Sequence, residues 1–194
     1  MPTTFIKAPI IITFLLLCSS CGYRTSNSKT ICVPFVSGDC YGKLTDEIIR
    51  RISESTQLNF CNSQGDYSLK VQLVKLNQET IGYRKDQEKD FTLRDNIIAS
   101  EGRFKAVACI SLIDNRTCQV CFGPSEVSAY VDYDYVDENS LQDLSFINEN
   151  GQRVTVLDFS IGQLESEESA RFAAEEPLFK CLAEKIVDAI SIQW

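Results

Sequence analysis

Three runs of alternating apolar and polar residues constrain the fold more than any other feature of the chain. They extend from Tyr67 to Leu73, from Phe104 to Leu112 and from Val127 to Tyr135. A period of two places successive side chains on opposite faces of a strand. The three runs therefore predict strands of a sheet that has one buried face and one solvated face.

Two amphipathic helices are predicted at either side of these strands in the sequence. Residues 43–55 and 166–190 carry apolar side chains at intervals of three or four, with charged side chains between them. Pro177 lies inside the second pattern, where a proline removes one helical hydrogen bond. Pro177 therefore predicts either a kink near Glu175 or a new helix with the proline in its first turn.

A fourth strand is predicted over residues 30–36, which are short, apolar and β-branched. Pro34 cannot donate a ladder hydrogen bond, so this strand is expected at a sheet edge. The order of elements gives an α+β fold, a two-layer sandwich. We expect an approximately four-stranded, mostly antiparallel sheet with both helices on one face, because each apolar stripe needs an apolar surface to cover.

Two polar segments are less regular. Residues 80–102 hold many charges and few large apolar residues, which indicates a strand end followed by an exposed excursion. Residues 137–160 are polar and rich in Asn, and their short apolar stretch from Val154 to Phe159 has no clear assignment.

The N-terminus has the features of a secretion signal. Lys7 precedes an apolar run from Ile10 to Leu17, and the small residues Ser19 and Ser20 follow. This run is too short to cross a bilayer, which takes about 20 residues. Cleavage after Ser20 would expose Cys21, the residue that bacterial lipoprotein processing modifies with lipid. The alternative is an ordinary secreted protein that is cut near Ser20 and carries no lipid.

These boundaries divide the chain into three parts. Residues 1–20 are the predicted lipoprotein signal peptide, and residues 21–29 are a lipidated tether. Residues 30–194 form the predicted single domain, which is long enough for one hydrophobic core. The covalent lipid on Cys21 is the one attached group we expect, with no cofactor and no metal.

Cysteine is abundant, with nine residues in 194. This favours an oxidising, extracytoplasmic compartment, in agreement with the signal. Seven cysteines follow Cys21, so at least one is free or pairs with another chain. Cys118 and Cys121 flank a turn and are the candidates for a local structural disulfide. Redox enzymes place such a pair at a helix N-terminus instead.

Composition also excludes several classes of function. The chain has no histidine, which removes His-assisted nucleophiles and most catalytic zinc sites. It has no Gly-rich phosphate loop, which also argues against catalysis. It has no dense basic run, so nucleic acid is not expected as a partner. Residues 126–176 carry 13 acids against two bases and are expected to form a solvated surface. We therefore do not expect an enzyme.

Four features taken in order resemble the LptE family of lipopolysaccharide-assembly lipoproteins. They are the Cys21-Gly22-Tyr23 start, the strand over residues 30–35, the Leu44-Thr45 helix start and the terminal helix around residues 182–187. The resemblance covers nearly all of the mature chain. It implies an α+β sandwich that is anchored in the bacterial outer membrane, on the periplasmic side or within the lumen of a β-barrel partner (LptD). It also implies binding of lipopolysaccharide and help with its insertion.

A phosphorylated glycolipid requires cationic side chains beside apolar contacts. One basic cluster in the sequence could supply them, and the alternative is that its members are ordinary solvated charges. The candidates are Arg84, Lys85, Lys89, Arg94, Arg103 and Lys105.

Two other functions remain open. The chain could be a structural envelope lipoprotein whose odd cysteine joins it to neighbouring proteins. It could also be a thiol-disulfide redox lipoprotein that uses Cys118 and Cys121.

Overall fold

The computed structural model describes residues 29–87, 92–136, 145–155 and 166–192. Within these ranges the chain forms two helices and seven strands. In chain order they are β1 (Lys29–Cys32), α1 (Lys43–Glu54), β2 (Leu58–Phe60), β3 (Tyr67–Gln87), β4 (Leu93–Asp114), β5 (Val120–Asp134), β6 (Ser145–Ile147), β7 (Arg153–Thr155) and α2 (Glu167–Ser191). The predicted α+β class with two helices is confirmed. The signal peptide and Cys21 lie outside the described residues.

The main sheet has five strands in the order β2-β1-β3-β4-β5. β3, β4 and β5 are antiparallel neighbours, whereas β1 is parallel to both β2 and β3. The sheet is therefore mixed and has one strand more than expected. The parallel pairing follows from the chain path, because α1 carries the chain back to the end of the sheet at which β1 began.

β1 differs from the predicted edge strand. It ends at Cys32, and Pro34 lies in the segment that follows it. Because no proline interrupts its residues, β1 can pair on both sides, and it lies between β2 and β3. The short strand β2 was not predicted and takes the edge position.

One hydrophobic core lies between the sheet and the two helices. α1 contributes its predicted apolar stripe, and the buried positions of β3 and β4 are those given by the alternation. The largest fully buried side chains are Ile31, Leu44, Ile48, Ile52, Leu58, Leu69, Ile110, Leu112, Leu178, Leu182, Ile186 and Ile190. The helices are also linked directly, by an ion pair of 2.8 Å between Lys43 Nζ and Glu175 Oε2.

α2 is a single helix that contains Pro177, so the second predicted helix does not start anew at the proline. Its N-terminus is capped by Ser166, whose side chain accepts a hydrogen bond from the Ser169 N–H at 3.4 Å. Burial of one face of the helix, from Ala170 to Ile190, offsets the hydrogen bond that the proline removes. No helix in the described ranges is both long and apolar enough to span a membrane.

The two polar segments with less regular sequence, residues 80–102 and 137–160, also contain strands. β3 and β4 continue through most of residues 80–102, where a strand end and an excursion were expected. In the other segment, β6 and β7 pair as a small antiparallel hairpin. Val154 and Thr155 belong to β7, and the rest of the predicted apolar stretch lies outside the described residues.

Tyr133 on β5 has a buried hydroxyl group without a hydrogen-bond partner among the described residues. Burial, and next the charge of Glu167, raises the pKa of this phenol. We expect Tyr133→Phe to raise the free energy of unfolding by about 1 kcal/mol, because it removes an unsatisfied polar group. Urea denaturation measures this change, and a loss of stability would instead mean that the hydroxyl has a partner.

The same substitution should alter the pH dependence of stability. A raised pKa keeps the folded phenol protonated when the unfolded phenol ionises, near pH 10. The unfolded state then releases a proton first, so stability falls as the pH rises above about 10. The Tyr133→Phe variant should lose less stability than the wild-type protein between pH 9 and pH 11, two values that bracket the ordinary pKa of about 10.

Candidate functional site

The paired strands β3 and β4 extend beyond β5, the third strand of the antiparallel part of the sheet. Pairing between β4 and β5 ends at Glu101 and Asp134. Beyond this point residues 83–87 pair with residues 93–99 as a two-stranded ribbon, which we call the ribbon. Register shifts on both sides of Gly82 mark its base.

The ribbon exposes large apolar side chains, which were not predicted to function. Tyr83, Leu93 and Ile97 are 64%, 63% and 63% exposed. Tyr83 lies two residues before Lys85, and Lys85 is directly opposite Ile97, so these three side chains share one face. Leu93 lies opposite Gln87, two residues further along. The apolar residues in this segment of the sequence were too few to suggest a strand, and only the strand pairing groups them.

Two of the candidate basic residues lie on the ribbon with these apolar side chains. Lys85 Nζ is 3.8 Å from the Asp95 carboxylate, and both side chains are well exposed, so this ion pair is weak. Arg84 precedes Lys85 and points to the opposite face of the strand. Arg94 is the second residue of β4, and Lys89 lies outside the described residues.

Arg103 is already engaged within the sheet. Its Nε and Nη2 atoms donate to the two carboxylate oxygens of Asp132 at 2.7 and 2.9 Å. Its guanidinium also lies 4.4 Å from the centroid of the Tyr130 ring. The hydrogen bond raises the pKa of Arg103 and lowers that of Asp132. This charge is therefore neutralised by a neighbouring strand.

Lys105 is exposed on the same face as Arg103, two residues further along β4. Its partner on β3 is Asn77, eight residues before Lys85. At about 3.3 Å per residue these two lysines are roughly 26 Å apart along the sheet. The structure therefore does not gather all the candidates into one site. It places Lys85 in the apolar setting of the ribbon and leaves Arg103 and Lys105 on the body of the sheet.

The cysteines that follow Cys21 are all described, and all seven are free thiols. The predicted disulfide between Cys118 and Cys121 is therefore not present in this structure. Cys118 ends the turn after β4, where its N–H donates to the Asp114 carbonyl at 2.8 Å. Because β5 begins at Val120, the backbone is already extended at Cys121, which separates the two residues.

The described residues contain no group of three or more His, Cys, Asp or Glu side chains that could hold a metal ion. Neither Cys118 nor Cys121 belongs to the first turn of a described helix, since Cys118 precedes β5 and Cys121 is part of it. The pair therefore lacks the placement at a helix N-terminus that is typical of redox enzymes.

Comparison with known proteins gives structural similarities alone. No protein-family model matches the chain, and no curated protein matches it significantly. Several similar solved structures are lipoproteins. A minor lipoprotein from Acinetobacter baumannii has a TM-score of 0.45 at 11% identity, over 85% of this chain and 92% of that one. Rare lipoprotein B from Shewanella oneidensis has a TM-score of 0.41 at 11% identity, over 84% and 94% of the two chains.

A candidate lipoprotein from Caulobacter crescentus CB15 has a TM-score of 0.46 at 12% identity, over 84% of this chain and 89% of that chain. Identities and TM-scores this low do not assign a function. The function of this chain must therefore be inferred from its own residues.

Proposed function

We propose that this chain is a lipid-anchored outer-membrane lipoprotein that assists lipopolysaccharide assembly as the plug and partner of a β-barrel translocon. The observation that carries the proposal is the ribbon, which presents exposed apolar side chains beside Lys85. Such a combination suits contact with the acyl chains and phosphates of a glycolipid, or with the wall of a barrel.

The position of the ribbon relative to the N-terminus supports this arrangement. Lys29 begins β1, and its ammonium group lies 5.2 Å from the centroid of the Tyr67 ring, at the start of β3. The far end of the ribbon is at the other end of β3, 20 residues away, or about 66 Å at about 3.3 Å per residue. Lys29, which ends the predicted tether, and the ribbon are thus at opposite ends of the sheet.

The lengths of the tether and of the sheet suit a protein that enters a barrel in the membrane to which it is anchored. A tether from Gly22 to Lys29 spans at most about 26–29 Å when fully extended. The hydrocarbon core of a bilayer is about 30 Å thick. A domain held this close to one surface could therefore place its ribbon across the membrane, inside a barrel. No step of this function requires catalysis, and the chain has no histidine to supply it.

The proposal predicts a stable complex and a selective effect of charge. The wild-type protein should co-purify with a large β-barrel after extraction in mild detergent, as identified by mass spectrometry. Charge reversal of Arg84 and Lys85 to Glu should weaken binding to purified lipopolysaccharide about tenfold, since two cations near phosphates become two anions. Barrel association should change less, because apolar contacts on the ribbon are retained.

A matched control is the double reversal of Lys75 and Lys180 to Glu. Both lysines are exposed and lie outside the ribbon, and the net charge changes by the same amount. This control should retain lipopolysaccharide binding. Recovery of the wild-type protein without any outer-membrane barrel, under conditions that preserve known barrel complexes, would overturn the plug function.

A structural, disulfide-linked lipoprotein is the second candidate, and the exposed free thiols of Cys40, Cys118 and Cys121 favour it. Non-reducing electrophoresis of the envelope fraction separates the two candidates. Mainly intermolecular adducts would support the structural function, whereas a barrel complex held without disulfides would count against it. A thiol-disulfide enzyme would instead show glutathione-coupled turnover that is lost in Cys118→Ser.

A further inference from the structure

A groove of about 490 Å³ lies on the face of the sheet that points away from the helices. Its floor includes Lys70 on β3, Ile113 on β4 and Val120 on β5. These residues alternate with the buried core positions Leu69, Val71 and Leu112, which places them on the solvated face. The volume is within the range of about 300–1,000 Å³ that is typical of small-molecule sites.

The wall of the groove is formed by the segment that follows β1, and this segment is fixed by hydrogen bonds. The Ser37 N–H donates to the Val71 carbonyl at 3.1 Å, and the Leu73 N–H donates to the Ser37 carbonyl at 2.8 Å. Further along, the buried Asp39 carboxylate accepts from the Thr45 N–H at 2.9 Å, at the start of α1. The groove is therefore preformed between the sheet and a segment that is attached to both the sheet and a helix.

Apolar side chains that line the groove are more exposed to solvent than the side chains of the hydrophobic core. Phe35 on the wall is 65% exposed, and Val120 on the floor is 54% exposed. Pro34 and Ile113 also contribute to this apolar part. A hydrocarbon chain that lay in the groove would remove these surfaces from water, at about 25 cal/mol for each Å² buried.

The polar part of the lining is cationic. Lys70 is the one charged residue among those that line the groove, and no Asp or Glu lines it. This is notable in a chain with a net charge of −8. Lys70 makes no ion pair or hydrogen bond with the described residues, and the side chains of Ser37, Gln72 and Ser111 beside it make none either. One free cation and three free polar groups match a ligand with a single negative charge.

We propose that this groove binds a long-chain fatty acid, with the carboxylate at Lys70 and the acyl chain against Phe35, Ile113 and Val120. The groove is separate from the ribbon, because Lys70 and Arg84 are 14 residues apart on one strand, or roughly 46 Å. The proposal therefore does not depend on the barrel partnership, and either can fail without the other.

The test uses the mature chain and a fluorescent polyene fatty acid, parinarate, with palmitate as competitor. Parinarate should bind saturably and be displaced by palmitate, while hexadecanol, which lacks the charge, should compete more weakly. Lys70→Gln should weaken parinarate binding about fivefold, the effect of losing an exposed ion pair. Val120→Glu should weaken it at least about tenfold, because it places an anion beside the acyl chain. Val120 is exposed, so this variant should still fold.

Lys180→Gln is the matched control, since Lys180 is an exposed lysine on α2 and does not line the groove. It should bind parinarate as the wild-type protein does. Absence of saturable binding would overturn the proposal, as would equal affinity in Lys70→Gln, Val120→Glu and Lys180→Gln, or equal competition by hexadecanol and palmitate. Binding by the Cys21→Ser protein but not by the lipidated protein would also overturn it, since the groove would then hold the protein's own lipid.

Discussion

Replacement of Cys21 by Ser should abolish covalent incorporation of labelled fatty acid, as seen after denaturing electrophoresis. It should also move the protein from the membrane fraction to the soluble fraction. Cys21 is the residue that signal cleavage after Ser20 would expose. Each buried methylene of an attached lipid contributes about 0.8 kcal/mol to membrane affinity, so several acyl chains make attachment effectively permanent. Loss of the thiol removes this whole contribution.

Cys40→Ser is the appropriate control for this experiment. Cys40 is an exposed free thiol in the segment before α1, so its loss should change neither the label nor the fractionation. Fatty-acid label that persists in Cys21→Ser would place the anchor at another residue. Loss of label without any change of fraction would show that the membrane contact is made by the folded domain.

Leu182→Ala should lower the free energy of unfolding by about 2–5 kcal/mol. Leu182 on α2 is fully buried in the core that the two helices share with the sheet. Truncation removes three buried carbon atoms and leaves a cavity, because the surrounding side chains relax only in part. Urea denaturation in the Cys21→Ser background allows the measurement without detergent.

Lys180→Ala provides the comparison, because Lys180 is an exposed residue of the same helix. A solvent-exposed change of this kind should alter stability by less than about 0.5 kcal/mol. If Leu182→Ala were equally mild, α2 would not be packed on the sheet as described. A change in the slope of unfolding against urea would indicate instead that the compactness of one state had changed.

The antiparallel part of the sheet could be predicted because its pattern is local. The alternation that ends at Leu112 identified the buried face of β4, and the apolar stripe of residues 43–55 identified α1 almost to the residue. In both cases one face is buried and the other solvated, so the period of the secondary structure appears directly in the sequence.

The position of β1 could not be predicted in this way. Strand pairing depends on contacts between segments that are distant in sequence, and β1 pairs with both Leu58–Phe60 and the start of β3. β2 has three residues, too few to show any period. The presence of Pro34 suggested an edge, but the strand ends before it.

The candidate site could also be predicted only in part, because it too depends on contacts between distant segments of the chain. Charge clustering identified Arg84 and Lys85, yet the sequence could not show that Lys85 faces Ile97 or that Arg103 is bound by Asp132. Both facts depend on cross-strand register, and in the β3–β4 pair the bulges on both sides of Gly82 set this register together with the alternation. The groove around Lys70 also depends on the segment after β1, which packs on the sheet through backbone hydrogen bonds that any sequence could make.

The central position of β1 has a mechanical consequence for an anchored protein. If the lipid is held in the membrane while the domain is pulled away, the load reaches the fold through Lys29, the first residue of β1. That strand has a neighbour on each side, and both run in its own direction. A pull along the strand must therefore shear two ladders of hydrogen bonds at once, whereas an edge strand could be peeled away one bond at a time.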